Sequence, residues 1–440
     1  MASHHAGNRD SFASSFGVLM ALVGSAIGLG NLWRFPYLAG VNGGAAFIII
    51  YIAFVFVICL PIMLAEFVVG RRSHANTYGA FSVLAPGSKW PVIGIITVAT
   101  ASIILAFYSV VGGWTADYLV MALTFNLPDS NATSHFFREV TASPLRPQLF
   151  TMLFLVLTAG ILMTGIKNGI EKYSKILMPL LFVVVIIIAV RSVTLPGASE
   201  GLKFLFKPDF SKVTGTTVLE ALGQAFFSSS IGIGTILTYA SYVNKQENMV
   251  ATSFLTSLSN VVFALIAGVA IMPAVFAFGL SPEEGPGLAF TTLPQVFAQL
   301  PGGALIAILF FFMMLVAALT SSISLLEVPV TYLVEEFKLP RKVAVAVAFV
   351  VCLVMAMLCS LYEVVFNLCD SLTANYLMPV SALLLVIFVG WRMKKVDIED
   401  ELSNSYTLPY PRWLYDTVYY LLRYLAPVVI VIVLLYGLIS

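Results

Sequence analysis

Two apolar stretches of the sequence contain polar strings that could bind a small solute. The first, GSAIGLGNLWRFP, runs from Gly24 to Pro36 and places Asn31 directly after its glycines. The second, QAFFSSSIGIGT, runs from Gln224 to Thr235 and joins three serines to two glycines. Glycine lowers helix propensity, and clustered hydroxyls offer the backbone alternative hydrogen-bond partners. Both strings therefore predict a helix that is broken inside an apolar segment.

A broken helix has a specific binding chemistry. It exposes amide N–H groups at one broken end and carbonyl groups at the other. The N–H end suits a carboxylate, and the carbonyl end suits an ammonium group or a sodium ion, so the pair suits a zwitterion that travels with a hard cation. Close helix packing is the alternative explanation for the glycines of either string alone. Two interrupted helices in matching positions favour a transporter binding site instead.

Catalysis would need a nucleophile with a base, or a metal cluster, within the same apolar segments. The four histidines all lie in polar segments, at His4, His5, His74 and His135. The four cysteines lie in or beside apolar stretches without CxxC spacing, at Cys59, Cys352, Cys359 and Cys369. We expect these cysteines to be buried small residues that need neither a metal nor a disulfide. The sequence therefore does not indicate an enzyme.

The composition places the chain in a membrane. Of its 440 residues, 60% are hydrophobic and 10% are charged, and the formal net charge is +1. A soluble domain usually carries about a quarter charged residues. Near-neutral charge argues against nucleic acid as a partner, because binding nucleic acid needs a basic surface. The expected partner of the outer surface is the lipid bilayer.

Eleven segments are long and apolar enough to cross a bilayer, which takes about 20 residues for a helix. These segments, spans 1 to 11, begin near Phe12, Gly43, Trp90, Gln148, Ser174, Val218, Met249, Pro301, Lys342, Val364 and Trp413. No long soluble insert separates them. The sequence therefore predicts an all-α polytopic membrane protein with a tail at residues 1–11 and a single transmembrane domain at 12–440.

The two polar strings interrupt spans 1 and 6, and each of these opens a set of five spans. This predicts repeats at about residues 12–192 and 217–392, followed by an extra helix at about 413–439. Because five is odd, the second set enters the membrane from the opposite side, so the repeat is inverted.

Basic residues are concentrated in alternate loops. Arg71, Arg72 and Lys89 separate spans 2 and 3, and Lys167 and Lys172 separate spans 4 and 5. The loops between these hold fewer basic residues, mixed with acids. The positive-inside bias then predicts an inner-membrane protein with a cytoplasmic N-terminus and, for an odd number of spans, a C-terminus outside.

Several motifs, taken together, closely resemble the neurotransmitter:sodium symporter family. They are GSAIGLGNLWRFP, then NGG at 42–44 and PIMLAEF at 61–67, Tyr108 in span 3, GIEKYSKILMP in span 5, SSSIGIG in span 6 and AALTSSIS in span 8. The resemblance covers essentially the whole chain and keeps the family's order of motifs. Eleven spans and short outer loops resemble the bacterial branch, since animal members usually have twelve.

The resemblance implies two sodium sites. The first would be formed by the Ala26 carbonyl, the side chains of Asn31 and Asn260, the carbonyl and hydroxyl of Ser228, and the carboxylate of the substrate. The second would be formed by the carbonyls of Gly24, Ile27 and Ala317 with the hydroxyls of Thr320 and Ser321. Hydroxyls in a span also commonly donate to carbonyls of their own helix, so the TSS string alone does not establish the second site.

The resemblance also implies a substrate pocket, lined by Ala26, Leu29, Gly30, Ile104, Tyr108, Phe227, Ser228, Ser230, Ile233, Ser321 and Leu325. The amides of Leu29 and Gly30 and the Tyr108 hydroxyl would hold a carboxylate. Family members that carry amines without a carboxylate have an aspartate where this chain has Gly28. The substrate is therefore expected to bring its own negative charge, as an amino acid does.

Family gates on both sides of this pocket have counterparts here. Arg34 and Asp370 would form an outer ion pair above Tyr108 and Phe227. The inner gate would consist of Arg9 and Glu335, supported by Ser241 and Tyr242, with Phe12 where the family usually has tryptophan.

Two further motifs concern the helices around the pocket. Glu66 matches an acid that braces the broken helices. Gly169 and Pro179 match a spacing that the family ties to unwinding of the cytoplasmic end of span 5.

The charge balance at the first sodium site stays open at this stage. Chloride-independent bacterial relatives often have an acid one turn after the Asn260 position, and animal members have a serine there and bind chloride. This chain has Ala264, which is neither. An anion site could still be lined by Tyr51, Gln224, Ser228 and Asn260.

We therefore expect a sodium-coupled symporter that imports a hydrophobic L-amino acid by alternating access. A monomer is sufficient for this function, and the sequence leaves oligomerisation open. The alternatives are a proton-coupled amino acid carrier and a ligand-gated channel or sensor. Two broken helices and paired gates argue against a channel, which needs one continuous pore.

Overall fold

The computed structural model describes residues 11–127, 133–143, 145–281, 289–300, 302–408 and 410–439. All regular elements in these ranges are helices, which confirms the predicted all-α class. The α-helices run over Ser15–Ala26, Phe35–Val41, Ala45–Phe54, Leu60–Ser73, Thr77–Leu84, Val92–Leu123, Thr133–Ala142, Arg146–Leu162, Lys172–Val193, Ala198–Phe206, Gly215–Ser228, Thr235–Ala240, Met249–Ala277, Thr292–Gln299, Gly303–Glu336, Arg341–Leu361, Glu363–Leu372, Met378–Ile387, Lys395–Leu402, Arg412–Tyr420 and Ala426–Ile439. Short π-helical segments run over Gly30–Arg34, Val55–Cys59, Ile166–Glu171, Thr373–Leu377, Phe388–Arg392 and Leu421–Leu425, and a 3-10 turn covers Phe210–Lys212.

Several of these helices, alone or joined end to end, are long and apolar enough to cross a membrane. Among the described residues, eight continuous helical stretches qualify: Ala45–Ser73, Val92–Leu123, Ile166–Val193, Met249–Ala277, Gly303–Glu336, Arg341–Leu361, Glu363–Arg392 and Arg412–Leu435. Two bent pairs also qualify, Ser15–Ala26 with Gly30–Val41 and Phe136–Ala142 with Arg146–Leu162. The remaining predicted segment, span 6, consists of two helices that are each too short to cross alone. The count of eleven spans therefore stays a prediction.

Span 1 is broken where its glycine-rich string predicts it. The first helix ends at Ala26, Ile27 has extended backbone (φ −88°, ψ 100°), and helical backbone resumes at Gly30 after a bend of 48°. A Cβ atom on Gly28 would lie 2.5 Å from Ser321 Oγ and 2.7 Å from Tyr108 Oη. The backbone of the break therefore packs directly against spans 8 and 3, with no room for a side chain at Gly28.

Span 6 is broken in the corresponding place of the second set of helices. Ser230, Gly232 and Gly234 have φ values of 54°, 76° and 82°, a region that favours glycine. The Glu66 carboxylate accepts hydrogen bonds from the amides of Gly232 (2.8 Å) and Leu237 (3.2 Å). A break leaves such N–H groups without helical partners. Glu66 of span 2 therefore satisfies both sides of the interruption.

Candidate substrate and ion sites

A small buried cavity lies between the two broken helices and spans 3 and 8. Its free volume is about 30 Å³, and its lining consists of Ser25, Ala26, Gly28, Gly30, Ile104, Tyr108, Phe227, Ser228, Ser230, Ile233, Ser321, Ser324 and Leu325. This central cavity contains all the predicted pocket residues except Leu29, whose side chain lines a second cavity instead. Sequence reasoning missed Ser25 and Ser324, which lie next to predicted positions in the same strings.

The polar end of the central cavity is built from backbone and hydroxyl groups. The Leu29 amide donates a hydrogen bond to Tyr108 Oη at 3.1 Å. Ser230 Oγ donates to the Ser25 carbonyl at 2.8 Å, and Ser25 and Ser324 hydroxyls lie 3.0 Å apart. These groups can exchange one partner for a bound carboxylate or ammonium group without leaving the site.

The lining of the central cavity also includes three aliphatic side chains. Ile104, Ile233 and Leu325 are buried, at 2–4% exposure, and none of these side chains carries a hydrogen-bonding atom. The lining therefore combines polar groups with apolar side chains in one cavity.

The predicted ligands of the first sodium site meet beside this cavity. Asn31 Nδ2 donates to Asn260 Oδ1 at 2.6 Å, and Asn260 Nδ2 lies 3.3 Å from Ser228 Oγ. Asn31 Oδ1 is buried and has no hydrogen-bond donor among the described residues. A buried carboxamide oxygen without a donor is costly. A hard cation would satisfy it, so the donor set fits sodium.

The predicted ligands of the second site also converge. Ser321 Oγ donates weakly to the carbonyls of Gly24 and Ser25, both at 3.3 Å. Thr320 Oγ1 donates to the Ala317 carbonyl of its own helix at 3.1 Å. A hydroxyl oxygen keeps two lone pairs when it donates, so these contacts leave both hydroxyls able to bind a cation. Ile27 lies at the end of helix Ser15–Ala26, where carbonyl groups lose their helical partners.

A cluster of neutral polar groups surrounds the first site. Tyr51 Oη and Ser228 Oγ lie 2.9 Å apart, and Asn260 Nδ2 lies 3.4 Å from Tyr51 Oη. Gln224 Nε2 donates to the Gly30 carbonyl at 2.9 Å. Three of the predicted anion-site residues, Tyr51, Ser228 and Asn260, thus lie together, and Gln224 bonds to the broken segment of span 1.

A larger cavity of about 730 Å³, here called the vestibule, adjoins the central cavity. Tyr108 and Phe227 line both spaces, so these two aromatic side chains form the partition between them. Trp33, Arg34 and Asp370 line the vestibule above the partition.

The predicted outer ion pair is absent from this conformation. Arg34 and Asp370 both line the vestibule, but no ion pair within 4.0 Å joins them among the described residues. The Arg34 guanidinium lies over the Phe227 ring instead, 5.1 Å from its centroid. The predicted pair belongs to a closed vestibule, so it stays a prediction for that conformation.

The other end of the broken helices is packed closed. The Phe12 ring makes edge contacts with the rings of Tyr239 and Tyr242, at centroid distances of 5.8 and 6.4 Å. Arg9 lies outside the described residues, so its pair with Glu335 stays a prediction. The Glu335 carboxylate accepts hydrogen bonds from the backbone and side-chain amides of Asn76, at 2.7 and 3.0 Å.

Two buried acids at this closed end were missed by sequence reasoning. Glu327 accepts a hydrogen bond from Tyr242 Oη at 2.7 Å and pairs with Arg341 at 2.7 Å. Glu171 accepts hydrogen bonds from the Ala13 amide (2.7 Å) and from the Ser14 hydroxyl (2.9 Å), which ties the start of span 1 to span 5. For Glu327 the available signal was an acid within an apolar span, which usually has a function and a partner.

Comparisons with known proteins agree with this geometry. A sequence profile described as the Sodium:neurotransmitter symporter family matches residues 9–145 and 139–440. The chain is 38% identical over 437 residues to the uncharacterized sodium-dependent transporter YhdH of Bacillus subtilis (strain 168), covering 96% of each. It is 36% identical over 421 residues to an uncharacterized sodium-dependent transporter of Haemophilus influenzae, covering 90% of this chain and 92% of that protein.

The fold is similar to that of a solved transporter structure. The crystal structure of MhsT in complex with L-phenylalanine superposes with a TM-score of 0.91 at 39% sequence identity. The match covers 98% of this chain and 100% of that one.

Proposed function

The chain belongs to the sodium:neurotransmitter symporter family, and on this premise we propose that it imports a hydrophobic L-amino acid together with sodium by alternating access. It is a transporter and not an enzyme. The observation that carries the proposal is the lining of the central cavity, which combines polar groups of the two broken helices with the aliphatic side chains of Ile104, Ile233 and Leu325. The polar groups suit the α-amino and α-carboxyl groups, and the aliphatic side chains suit an apolar side chain. MhsT was solved with L-phenylalanine, a molecule of this type.

The substrate carboxylate has a natural place at the polar end. The Leu29 amide now donates to Tyr108 Oη, and a carboxylate oxygen would replace that oxygen as acceptor while Tyr108 donates to the same carboxylate. Gly28 leaves no room for a side-chain carboxylate next to Tyr108 and Ser321. The negative charge near the first sodium site therefore comes from the substrate.

The central cavity must open before an amino acid enters. A cavity needs roughly 10–15 Å³ of free volume to hold one water molecule, so a free volume of about 30 Å³ has room for only a few waters. Since Tyr108 and Phe227 separate the cavity from the vestibule, movement of these two side chains provides both the path and the space.

Two sodium ions travel as co-substrates in this proposal. The first uses the donor-free Asn31 Oδ1 together with the Asn260 and Ser228 oxygens, and it replaces the hydrogen bond between the two asparagines. The substrate carboxylate supplies the counter-charge, because the surrounding cluster of Tyr51, Gln224, Ser228 and Asn260 is neutral. The second ion uses the Thr320 and Ser321 hydroxyls with carbonyls of span 1.

The direction of access follows from which end is open. We assign the vestibule to the outer side and the packed Phe12 end to the cytoplasm of an inner-membrane protein, in line with the distribution of basic residues. Closing the vestibule would bring Arg34 and Asp370 together. Opening the inner end requires Glu171 to release the start of span 1, close to the Gly169–Pro179 segment whose unwinding the family resemblance implies.

A binding experiment tests the proposed substrate and ion together. Detergent-purified protein should bind tritiated L-leucine with an affinity that rises with sodium concentration and falls when potassium replaces sodium. A parallel titration in which gluconate replaces chloride shows whether binding needs chloride, which the cluster of Tyr51, Gln224, Ser228 and Asn260 could hold. Sodium-independent leucine binding, or strong binding of glutamate or lysine instead of leucine, would contradict the proposal.

A further inference from the structure

Two cysteines at the rim of the outer vestibule lie in contact. We infer that Cys359 and Cys369 form a reversible disulfide that restrains the outer gate residue Asp370. Their sulfur atoms are 3.8 Å apart, and both are free thiols in this structure. A disulfide bond is about 2.05 Å long, so the sulfurs need to approach by roughly 2 Å. This inference departs from the expectation that the four cysteines are merely small buried residues.

The local fold allows this approach. Cys359 lies in the last turns of helix Arg341–Leu361, and Cys369 lies in helix Glu363–Leu372, which follows directly. Tyr362 joins the two helices with extended backbone (φ −128°, ψ 105°). The thiols therefore face each other across a short hairpin whose two arms meet at a single non-helical residue.

Accessibility distinguishes this pair from the other two cysteines. Cys359 lines the vestibule, and Cys369 is partly exposed. Cys59 and Cys352 are both 0% exposed. On the orientation proposed above, the vestibule opens to the outer side of the membrane, where disulfides form and persist. Cys359 is itself only 3% exposed, so a small oxidant reaches the pair through the partly exposed Cys369.

The chemistry is thiol–disulfide exchange with a low-molecular-weight disulfide such as oxidised glutathione. The more exposed Cys369, as thiolate, attacks one glutathione sulfur, and a mixed disulfide forms as one glutathione thiolate leaves. Cys359, after losing its proton, attacks the Cys369 sulfur, and the second glutathione thiolate leaves. The protein loses two protons and two electrons, and one glutathione disulfide is reduced to two glutathione thiols.

The crosslink has a consequence for the outer gate. Asp370 follows Cys369 directly and lines the same vestibule as Arg34. A disulfide would tie the start of span 10 to the end of span 9 and so restrict the approach of Asp370 to Arg34. Oxidation should therefore slow transport, and a reductant should restore it.

The crosslink can be measured by mass spectrometry on the full-length protein in lipid nanodiscs. Glu363 is the only acid between the two cysteines, so a glutamyl endopeptidase separates them unless they are linked. After incubation with oxidised glutathione, we expect a linked peptide pair containing Cys359 and Cys369. Cys59 and Cys352 should still be alkylated after denaturation. Free alkylation of Cys359 and Cys369, or glutathione attached to Cys369 without a link, would overturn the inference.

A transport arm tests the restraint itself. In proteoliposomes, oxidised glutathione should lower the initial uptake rate of the wild type several-fold, with recovery in a reductant. In the variant Cys369→Ser, oxidised glutathione should leave the initial uptake rate equal to that of the untreated variant. A linked protein that transports at the unoxidised rate would contradict the restraint on Asp370. Because the peptide link is measured without transport, this arm fails separately from the proposed transport function.

Discussion

Asn31 and Asn260 are joined by a hydrogen bond of 2.6 Å from Asn31 Nδ2 to Asn260 Oδ1, although the residues lie 229 positions apart in the chain. The bond holds the broken segment of span 1 against span 7, and within the described part of the chain it leaves Asn31 Oδ1 buried without a donor. A buried carboxamide oxygen without a hydrogen-bond donor is costly, and a bound cation would satisfy it.

The first prediction concerns this oxygen. Asn31→Ala should abolish sodium-driven uptake and remove the sodium dependence of leucine binding, since it deletes a side-chain ligand of the first site. Asn42→Ala is the matched control, because Asn42 is also buried but bonds to Leu38 and Glu220 away from the cavity. Unchanged sodium affinity in Asn31→Ala would show that this residue is not a ligand.

The second prediction concerns Gly28. Gly28→Asn and Gly28→Asp should both weaken amino acid binding, because any Cβ there meets Ser321 Oγ and Tyr108 Oη at 2.5–2.7 Å. The aspartate should lose more, since unit charges about 4 Å apart repel by roughly 4 kcal/mol at an effective dielectric of 20. Equilibrium binding of leucine and of its decarboxylated amine measures the difference. An equal loss in both variants would mean that geometry alone explains the glycine.

The third prediction concerns the aliphatic lining of the central cavity. Competition against labelled leucine should rank apolar L-amino acids above glutamate and lysine, because burying an unpaired polar group costs about 1–3 kcal/mol. Ile233→Phe should weaken binding of large substrates such as tryptophan more than binding of alanine, since the added ring fills the cavity. Ile233→Val keeps the lining aliphatic and serves as the control. A uniform loss for all substrates in Ile233→Phe would indicate misfolding rather than a size filter.

The fourth prediction concerns the brace on span 6. Glu66→Gln replaces a carboxylate that accepts two amide hydrogen bonds with a group that offers one oxygen and an N–H donor. We expect slower uptake and a loss of stability of about 1–3 kcal/mol, seen as a lower thermal unfolding midpoint in detergent. Glu200→Gln, at an exposed position on the outer helix Ala198–Phe206, should leave both unchanged. If Glu66→Gln unfolded at the wild-type temperature, Glu66 would not be what stabilises the broken part of span 6.

The helix breaks were predictable because local chemistry determines them, whereas most of the cavity lining was predicted from the family resemblance. Glycines and serines in an apolar segment weaken a helix wherever the segment packs, so the interruptions after Ala26 and Ser228 could be placed from the sequence. Ile104 and Tyr108 are one helical turn apart, and this spacing brings both side chains to the central cavity.

The long-range partners were not predictable from a single sequence. Arg71 counts as a loop cation in the positive-inside analysis, yet it is buried and bonded to Glu401 at 2.9 Å. Glu171 lies beside span 5 and bonds to Ala13 and Ser14, 158 and 157 residues earlier. No periodicity or motif spacing encodes such pairs, because they depend on how the helices pack. Whether Arg34 forms an ion pair with Asp370 likewise depends on conformation, which the sequence does not specify.

The central claim is tested most directly by uptake into proteoliposomes that contain only this protein. An inward sodium gradient should drive accumulation of labelled L-leucine above its external concentration. A potassium gradient or an inward proton gradient without sodium should give only the signal of protein-free liposomes. Accumulation driven by protons in the absence of sodium, or sodium-dependent binding with no accumulation, would contradict a sodium-coupled symporter.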